Sequence, residues 1–191
     1  MMINSELGHV KTLEEFYTSI REQQETAHGD DYCAMHEAIV KYFKEGNCKT
    51  YMELGTHQGG TAACAMRMNP KKVILVDISM QKYNKFLRPI AAEYCSNNNI
   101  ELVIKETDST GLGAIDACDM LMIDSVHKAH HMSKELMIHA PNTTKYIVAH
   151  DTCRPTSELH NCLEQFCMDN PRWKVVERNT NNVGFTVLGK T

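Results

Sequence analysis

The chain has 191 residues, 42% of them hydrophobic and 23% charged, with a formal net charge of −4. That length suits one domain with a sizeable core, and the balance is that of a globular protein rather than a disordered or fibrous one. The acidic surplus argues against a nucleic-acid partner, and no apolar run approaches the roughly 20 residues of a membrane span.

The first residues, Met-Met-Ile-Asn-Ser-Glu-Leu, lack the basic flank and apolar run of a signal peptide. The eight cysteines form no Cys-x-x-Cys pair, so reduced thiols in a cytoplasmic protein are expected. Between residues 11 and 27, Leu13, Phe16, Tyr17 and Ile20 fall at helical spacing. Gly29 marks a break, with Asp30 and Asp31 as candidate caps. Met35, Ile39, Tyr42 and Phe43 then repeat the pattern. Residues 1–47 are therefore expected to supply leading helices packed on a sheet, and residues 48–191 the remaining core of a single domain.

From Thr50 onward strand and helix patterns alternate. Strands are predicted near 50–54, 73–77, 101–106, 119–123, 145–149, 173–179 and 184–188. Helices are predicted near 58–68, 81–97, 129–139 and 157–169, the last stopped by Asn170-Pro171. Such alternation implies an α/β fold: a Rossmann-like, mostly parallel seven-stranded sheet with helices on both faces. The Asn181-Asn182 turn between the last two strands adds a hairpin, and so one antiparallel edge strand. The basic run Lys71, Lys72, Lys82, Lys85 and Arg88 reads as solvated surface.

The segment Tyr51 to Asp77 carries the functional signal. It reads as a strand, a glycine turn, a small-residue helix, and a second strand ending in a carboxylate. Asp77 follows Gly55 by 22 residues, close to the roughly 20-residue spacing of a ribose-binding acid in a βαβ unit. An ionised carboxylate can accept both hydroxyls of a ribose; the plainer role for Asp77 is a helix cap. A dinucleotide fingerprint requires glycine where His57 stands. A phosphate loop requires Lys after Gly60, where Thr61 stands. What remains is Glu53-x-Gly55-x-x-x-Gly59.

That motif resembles the first motif of class I S-adenosylmethionine-dependent methyltransferases, whose cofactor carries an adenosine but no phosphate. The stretch Ile123 to Leu136 looks like the fourth-strand motif of the cephalosporin-hydroxylase-like, small-molecule O-methyltransferase subgroup: Ile-Asp-x-x-His, then Glu-Leu eight residues on. His150-Asp151-Thr152 matches the subgroup's next strand ending, and the last two strands its terminal antiparallel pair. The resemblance covers roughly residues 35 to 190.

The resemblance implies a cofactor site made of Glu53, Gly55, Thr56, His57, Gly59, Asp77, Asp108, Ser109 and Asp124. Gly55 and Gly59 would make room for the methionine portion, with Glu53 orienting its amino group. Asp108 and Ser109 would lie by the adenine. Related metal-dependent enzymes hold a divalent cation at positions matching Asp124, His150 and Asp151. Here His150 replaces the more usual Glu, which suits Mn²⁺, Fe²⁺ or Zn²⁺ better than Mg²⁺. A metal-free site in which His150 acts directly is an equal alternative. His127, three residues after Asp124, is the preferred general base, since an ordinary imidazole pKa of about 6.5 suits proton abstraction near neutrality. Asp124 and His150 complete the expected catalytic set, with Lys128 and His131 as further acceptor contacts. A zinc site from His127 and His131 at i, i+4 is the less favoured reading of this run. The remaining histidines, His9, His28, His36, His139 and His160, are expected on the surface or in local hydrogen bonds.

The expected activity is O-methylation of a small molecule or sugar, with S-adenosylmethionine as donor, and a homo-oligomer is compatible with it. Two rivals stand beside it: a metal-dependent hydrolase or lyase at Asp124, His127, His150 and Asp151, and a non-catalytic cofactor-binding protein.

Overall fold

A computed structural model describes residues 10–113, 116–153 and 158–191. His9 and the residue 157 start expected for the last helix lie outside the described residues. Seven strands form one sheet: β1 (Thr50–Leu54), β2 (Lys72–Asp77), β3 (Glu101–Glu106), β4 (Cys118–Ile123), β5 (Thr143–His150), β6 (Trp173–Asn179) and β7 (Phe185–Lys190). Their order is β3-β2-β1-β4-β5-β7-β6. The first five are parallel, and β7 runs antiparallel to both β5 and β6, with β6 outermost. The Asn182 backbone at φ +55° and Gly184 at φ +68° form the tight turn that joins β6 to β7.

β1 lies between β2 and β4, so the chain reverses its direction of strand addition there. Ligands of open parallel sheets bind beyond the carboxyl ends of the strands at such a point. The strands on both sides of it are buried on both faces, which is why they read as continuous apolar runs. Alternate residues feed two cores. Tyr51, Val73, Leu75, Met120 and Met122 belong to one. Met52, Leu54, Ile74, Val76, Leu121 and Ile123 belong to the other. Glu53 therefore points to the same side as Tyr51, an acid on an otherwise apolar face.

The first core is covered by α1 (Leu13–His28), α2 (Met35–Glu45), α3 (Gly60–Met66), α4 (Gln81–Phe86) and α5 (Arg88–Asn97). The second is covered by α6 (Ala129–His139) and α7 (Leu159–Asp169). α1 begins with a reciprocal cap between Thr12 and Glu15 and buries Leu13, Phe16, Tyr17 and Ile20, an arrangement typically worth about 1 kcal/mol at the cap. Asp30 and Asp31 do not cap α2: its first flanking residue is Ala34, without a side-chain bond. Asp31 sits at φ +66° and accepts from Asn181 Nδ2 at 3.3 Å instead.

The helix expected over 81–97 is two helices meeting at Leu87. Pro89 has no N–H and its ring crowds the carbonyl of the preceding turn, so the second helix starts afresh there. The break drives Leu87, fully buried, toward the glycine turn after β1. The basic run is dispersed: Lys72 pairs with Asp116 at 2.7 Å and Glu101 at 3.0 Å, while Lys82 approaches His57. No helix among the described residues is long and apolar enough to cross a membrane.

Candidate functional site

The turn after β1 is shaped by what presses on it. Gly55 has φ +91°, and a Cβ there would fall 2.2 Å from the Asp124 carbonyl oxygen. Gly59 has φ +92°, and its Cβ would meet Leu87 Cδ2 at 2.5 Å. Only glycine combines that backbone with that crowding. The space these glycines leave is thus filled by the β4 turn and by Leu87, and the crevice opens beside them.

Asp77, at the end of β2, is held by backbone. Its Oδ2 accepts from the His57 N–H at 2.8 Å and its Oδ1 from the Ser79 N–H at 3.0 Å. α4 begins later, after Met80, with no side-chain cap, so Asp77 is not serving as a helix cap. A carboxylate has about four acceptor sites, and two inward bonds fix the group while leaving capacity for further donors. His57 itself adopts φ +48°. Burial, and then the adjacent Lys82 ammonium, lower its pKa.

Glu53 is 1% exposed and accepts from the Tyr51 hydroxyl at 2.7 Å. Burial pushes its pKa up to about 8. On the far side of the crevice, Asp108 Oδ1 accepts from both the N–H and the hydroxyl of Thr110, each at 2.8 Å, which lowers its pKa. Ser109 lines the crevice, but its hydroxyl is turned away and donates to Glu135 at 2.6 Å. Thr56 is buried with its hydroxyl against the Val76 carbonyl.

The turns after β4 and β5 bring Asp124, His127, His150 and Asp151 together. His127 Nδ1 lies 2.9 Å from Asp151 Oδ2, and its Nε2 lies 3.4 Å from Asp124 Oδ1. These contacts raise the His127 pKa to about 9. His150, 3% exposed, places Nδ1 3.2 Å from Asp124 Oδ1. Burial works against its charged form, yet Asp124 outweighs it and the pKa is raised. Asp124 is likewise opposed by burial, but His150 and His127 bring it down to about 2. Asp151 is 1% exposed and its backbone stands at φ +59°. A non-glycine residue in that region costs of order 1–3 kcal/mol and persists only where its surroundings enforce it.

Asp124, His127 and Asp151 each offer a donor atom within 4.8 Å of the others, a mixed oxygen and nitrogen set that suits a divalent transition metal. His150 stands outside that trio but reaches two of its members, with Nδ1 3.2 Å from Asp124 Oδ1 and 3.7 Å from Asp151 Oδ1. His131 turns to the opposite side, with Nε2 3.2 Å from Ser109 Oγ, so His127 and His131 do not converge. His130 and Lys128 do not border the crevice. His36, His139 and His160 are buried rather than superficial, and each meets a local partner at Thr61, the Ser109 carbonyl and Glu164 respectively.

Together these turns enclose a cavity of about 450 Å³, within the usual range of small-ligand sites. Five of its walls are carboxylates: Glu53, Asp77, Asp108, Asp124 and Asp151. No Lys or Arg among the described residues lines it. Among the lining residues that sequence reasoning does not single out are Gln24 on α1 and Tyr32 between α1 and α2. Tyr32 stacks on His28 at 4.4 Å and meets His150 edge-on at 5.6 Å. Asn182 straps this linker to the β6–β7 turn by donating to the His28 and Asp30 carbonyls. The available signal was an aromatic residue placed between the two helical repeats rather than on either.

No family model matches the sequence, and no curated protein does. Solved structures do match the fold. A Bacillus cereus O-methyltransferase in complex with S-adenosylhomocysteine aligns with a TM-score of 0.65 at 15% identity, covering 100% of this chain and 94% of that one. A Staphylococcus aureus structure assigned as a caffeoyl-CoA O-methyltransferase aligns with a TM-score of 0.67 at 14% identity, covering 92% of each chain. The 16S rRNA methylase RmtB aligns with a TM-score of 0.62 at 10% identity, covering 94% of this chain and 68% of that one. The chain has the fold of class I methyltransferases. Enzymes with very different acceptors share that fold, so it leaves the acceptor open.

Proposed function

We propose that this chain is an S-adenosylmethionine-dependent methyltransferase (EC 2.1.1.-) acting on an oxygen of a small molecule or sugar. The observation that carries the reading is the acidity of the cavity: five carboxyl groups, of which buried Glu53 keeps its proton in the free protein, against one charged histidine, His127, and no lining Lys or Arg among the described residues. A ligand bearing a sulfonium and an ammonium suits such walls, whereas the pyrophosphate of a dinucleotide or the phosphates of ATP would be repelled. The fold shared with a methyltransferase bound to S-adenosylhomocysteine supports the same choice.

In this reading Asp77 accepts the ribose hydroxyls, and Asp108, beside Ser109, receives the exocyclic amine of the adenine. Glu53, with the turn Gly55-Thr56-His57 and Gly59, faces the methionine portion, and Asp124 borders it from β4. Bound there, the donor supplies an activated methyl group to an in-line nucleophile. The chain's own contribution is to align that nucleophile and to take its proton. His127 and the ionised Asp124 and Asp151 stand where this can happen, in the cavity that Tyr32 also lines. His150 fixes Asp124.

A divalent metal is the second reading of the same corner, favoured by the convergence of Asp124, His127 and Asp151; His150 would join or support them. Mn²⁺ or Fe²⁺ suits these donors better than Mg²⁺. The reading also takes residues 1–191 as one cytoplasmic domain, with 1–47 serving the core 48–191. It names no nucleic-acid or membrane partner. Self-association would be read from the mass in solution.

The test is a thermal-shift and calorimetric panel on the full chain. S-adenosylhomocysteine should bind, while NAD and ATP should not. Binding of a phosphorylated nucleotide instead would defeat the proposal, and tight metal binding with no response to S-adenosylhomocysteine would favour a metal-dependent hydrolase or lyase. Cofactor binding that leaves function indifferent to His127→Ala and Asp151→Ala would reduce the chain to a binding protein. For the metal, chelator should depress turnover and Mn²⁺ restore it.

A further inference from the structure

One buried acid has no place in that chemistry. Glu135 lies on α6, on the face it shares with Met132, Leu136 and His139, and is 0% exposed. A single oxygen, Oε1, accepts from two hydroxyls: Ser109 Oγ at 2.6 Å and Ser125 Oγ at 2.6 Å. His131 Nε2 stands 3.4 Å from the same atom. One turn further along α6, His139 Nε2 donates to the Ser109 carbonyl at 2.8 Å. The other oxygen, Oε2, has no hydrogen-bond partner among the described residues.

The two serines belong to different turns. Ser109 follows Asp108 after β3, and Ser125 follows Asp124 after β4. Both turns wall the same cavity, one on the expected adenine side and one on the reacting side. α6 thus grips the first turn at two atoms and the second at one. Burying a carboxylate costs several kcal/mol, and an apolar side chain packed among Met132 and Leu136 would commonly serve stability at least as well. An acid at that position therefore fits a requirement of geometry rather than of stability.

We propose that Glu135 is a positioning residue that sets the width of the crevice by clamping the β3 and β4 turns to one carboxylate oxygen. It acts through Ser109 and Ser125 and touches no ligand. Its effect on the donor rests on the methyltransferase reading above; its effect on the two turns does not.

The experiment uses the full chain and two readouts: hydrogen exchange of residues 107–113 and 124–128 without ligand, and calorimetric affinity for S-adenosylhomocysteine. Glu135→Leu should speed exchange in both turns by about tenfold, the order expected when a buried hydrogen bond is lost, and weaken the ligand comparably. Glu135→Gln keeps an acceptor oxygen in place and should restore both readouts to near the wild-type values. Ser125→Ala should loosen 124–128 while leaving 107–113 protected, and it remains informative if Glu135→Leu does not fold. The proposal falls if Glu135→Leu or Ser125→Ala lowers the melting temperature with exchange and affinity intact. It also falls if Glu135→Gln behaves like Glu135→Leu. Wild-type protein that fails to bind S-adenosylhomocysteine would sink the functional reading, while the exchange data would still decide the clamp.

Discussion

The imidazole of His127 is paired with the buried carboxylate of Asp151, Nδ1 to Oδ2, at 2.9 Å. With Asp124 on its other nitrogen, the ring is held as an imidazolium at neutral pH, its pKa raised to about 9. A base of this kind works only once it has lost its proton. If His127 abstracts the acceptor's proton in this geometry, the rate should climb with pH through about 9 rather than through an ordinary imidazole value of about 6.5. The folded pKa is raised, so the ion pairs' stabilisation is complete below about 6.5 and is lost as pH rises through about 9. Imidazole NMR titration, with denaturation midpoints from pH 6 to 10, measures both. A ring titrating near 6.5 in the free protein would sink this assignment.

Replacing His127 separates its chemical from its structural part. His127→Asn removes the titrating nitrogen while keeping a donor near Asp151. Turnover should fall on the order of a hundredfold or more, the usual scale for losing a general base, with S-adenosylhomocysteine affinity little changed. Single-turnover assays beside calorimetry would show whether the loss sits in the chemical step. A loss confined to affinity would place His127 in the donor site instead.

Asp77→Ala should weaken S-adenosylhomocysteine by roughly 1.5–3 kcal/mol, the range for a hydrogen bond to a charged group. Part of that loss passes through the turn, because the His57 and Ser79 N–H groups lose their acceptor. Asp77→Asn keeps one acceptor oxygen and should fall between. Calorimetric affinity unchanged by both substitutions would remove Asp77 from the ribose.

Much of this arrangement is legible in the sequence, and the reasons differ by element. All seven strands fall within three residues of their expected ends; for the central ones the reason is that runs such as Val73 to Val76 are buried on both faces and carry no competing helical period. Glu53, Asp77, Asp124 and Asp151 were found because parallel strands deliver their carboxyl ends to one rim. The break at Leu87 was missed because apolar periodicity continues across it, and Pro89 near a helix start reads as harmless. Glu135 was visible only as part of a family motif. Its own signal was an acid set on the same helical face as Met132 and Leu136. Tyr32 and Gln24 reach the cavity only through packing of α1 and its linker, which no local pattern encodes.

Gly55→Ala should destabilise the protein before it affects any ligand. Its Cβ would stand 2.2 Å from the Asp124 carbonyl at φ +91°, so the left-handed backbone and the overlap both count against it. Together they should cost about 2–4 kcal/mol, from strain plus overpacking, visible as a lower denaturant midpoint. The β1 and β4 turns would also be pushed apart, so Asp124 should move and His150 lose its close contact. A variant with unaltered stability would mean that the two turns do not meet as described.

Glu53 offers a test that needs no acceptor. With its pKa pushed up to about 8 by burial, it keeps its proton at pH 7 in the free protein. An ammonium arriving beside it favours the ionised form, so binding should expel that proton. S-adenosylhomocysteine carries such an ammonium, and its binding enthalpy at pH 7 should then vary with the ionisation enthalpy of the buffer, with close to one proton released. Affinity should rise with pH until about 8 and then level. Glu53→Gln cannot release a proton and should abolish the buffer dependence, while still accepting from the Tyr51 hydroxyl. Heats that are the same in every buffer for the wild-type chain would mean that the cofactor's charge lies elsewhere in the crevice.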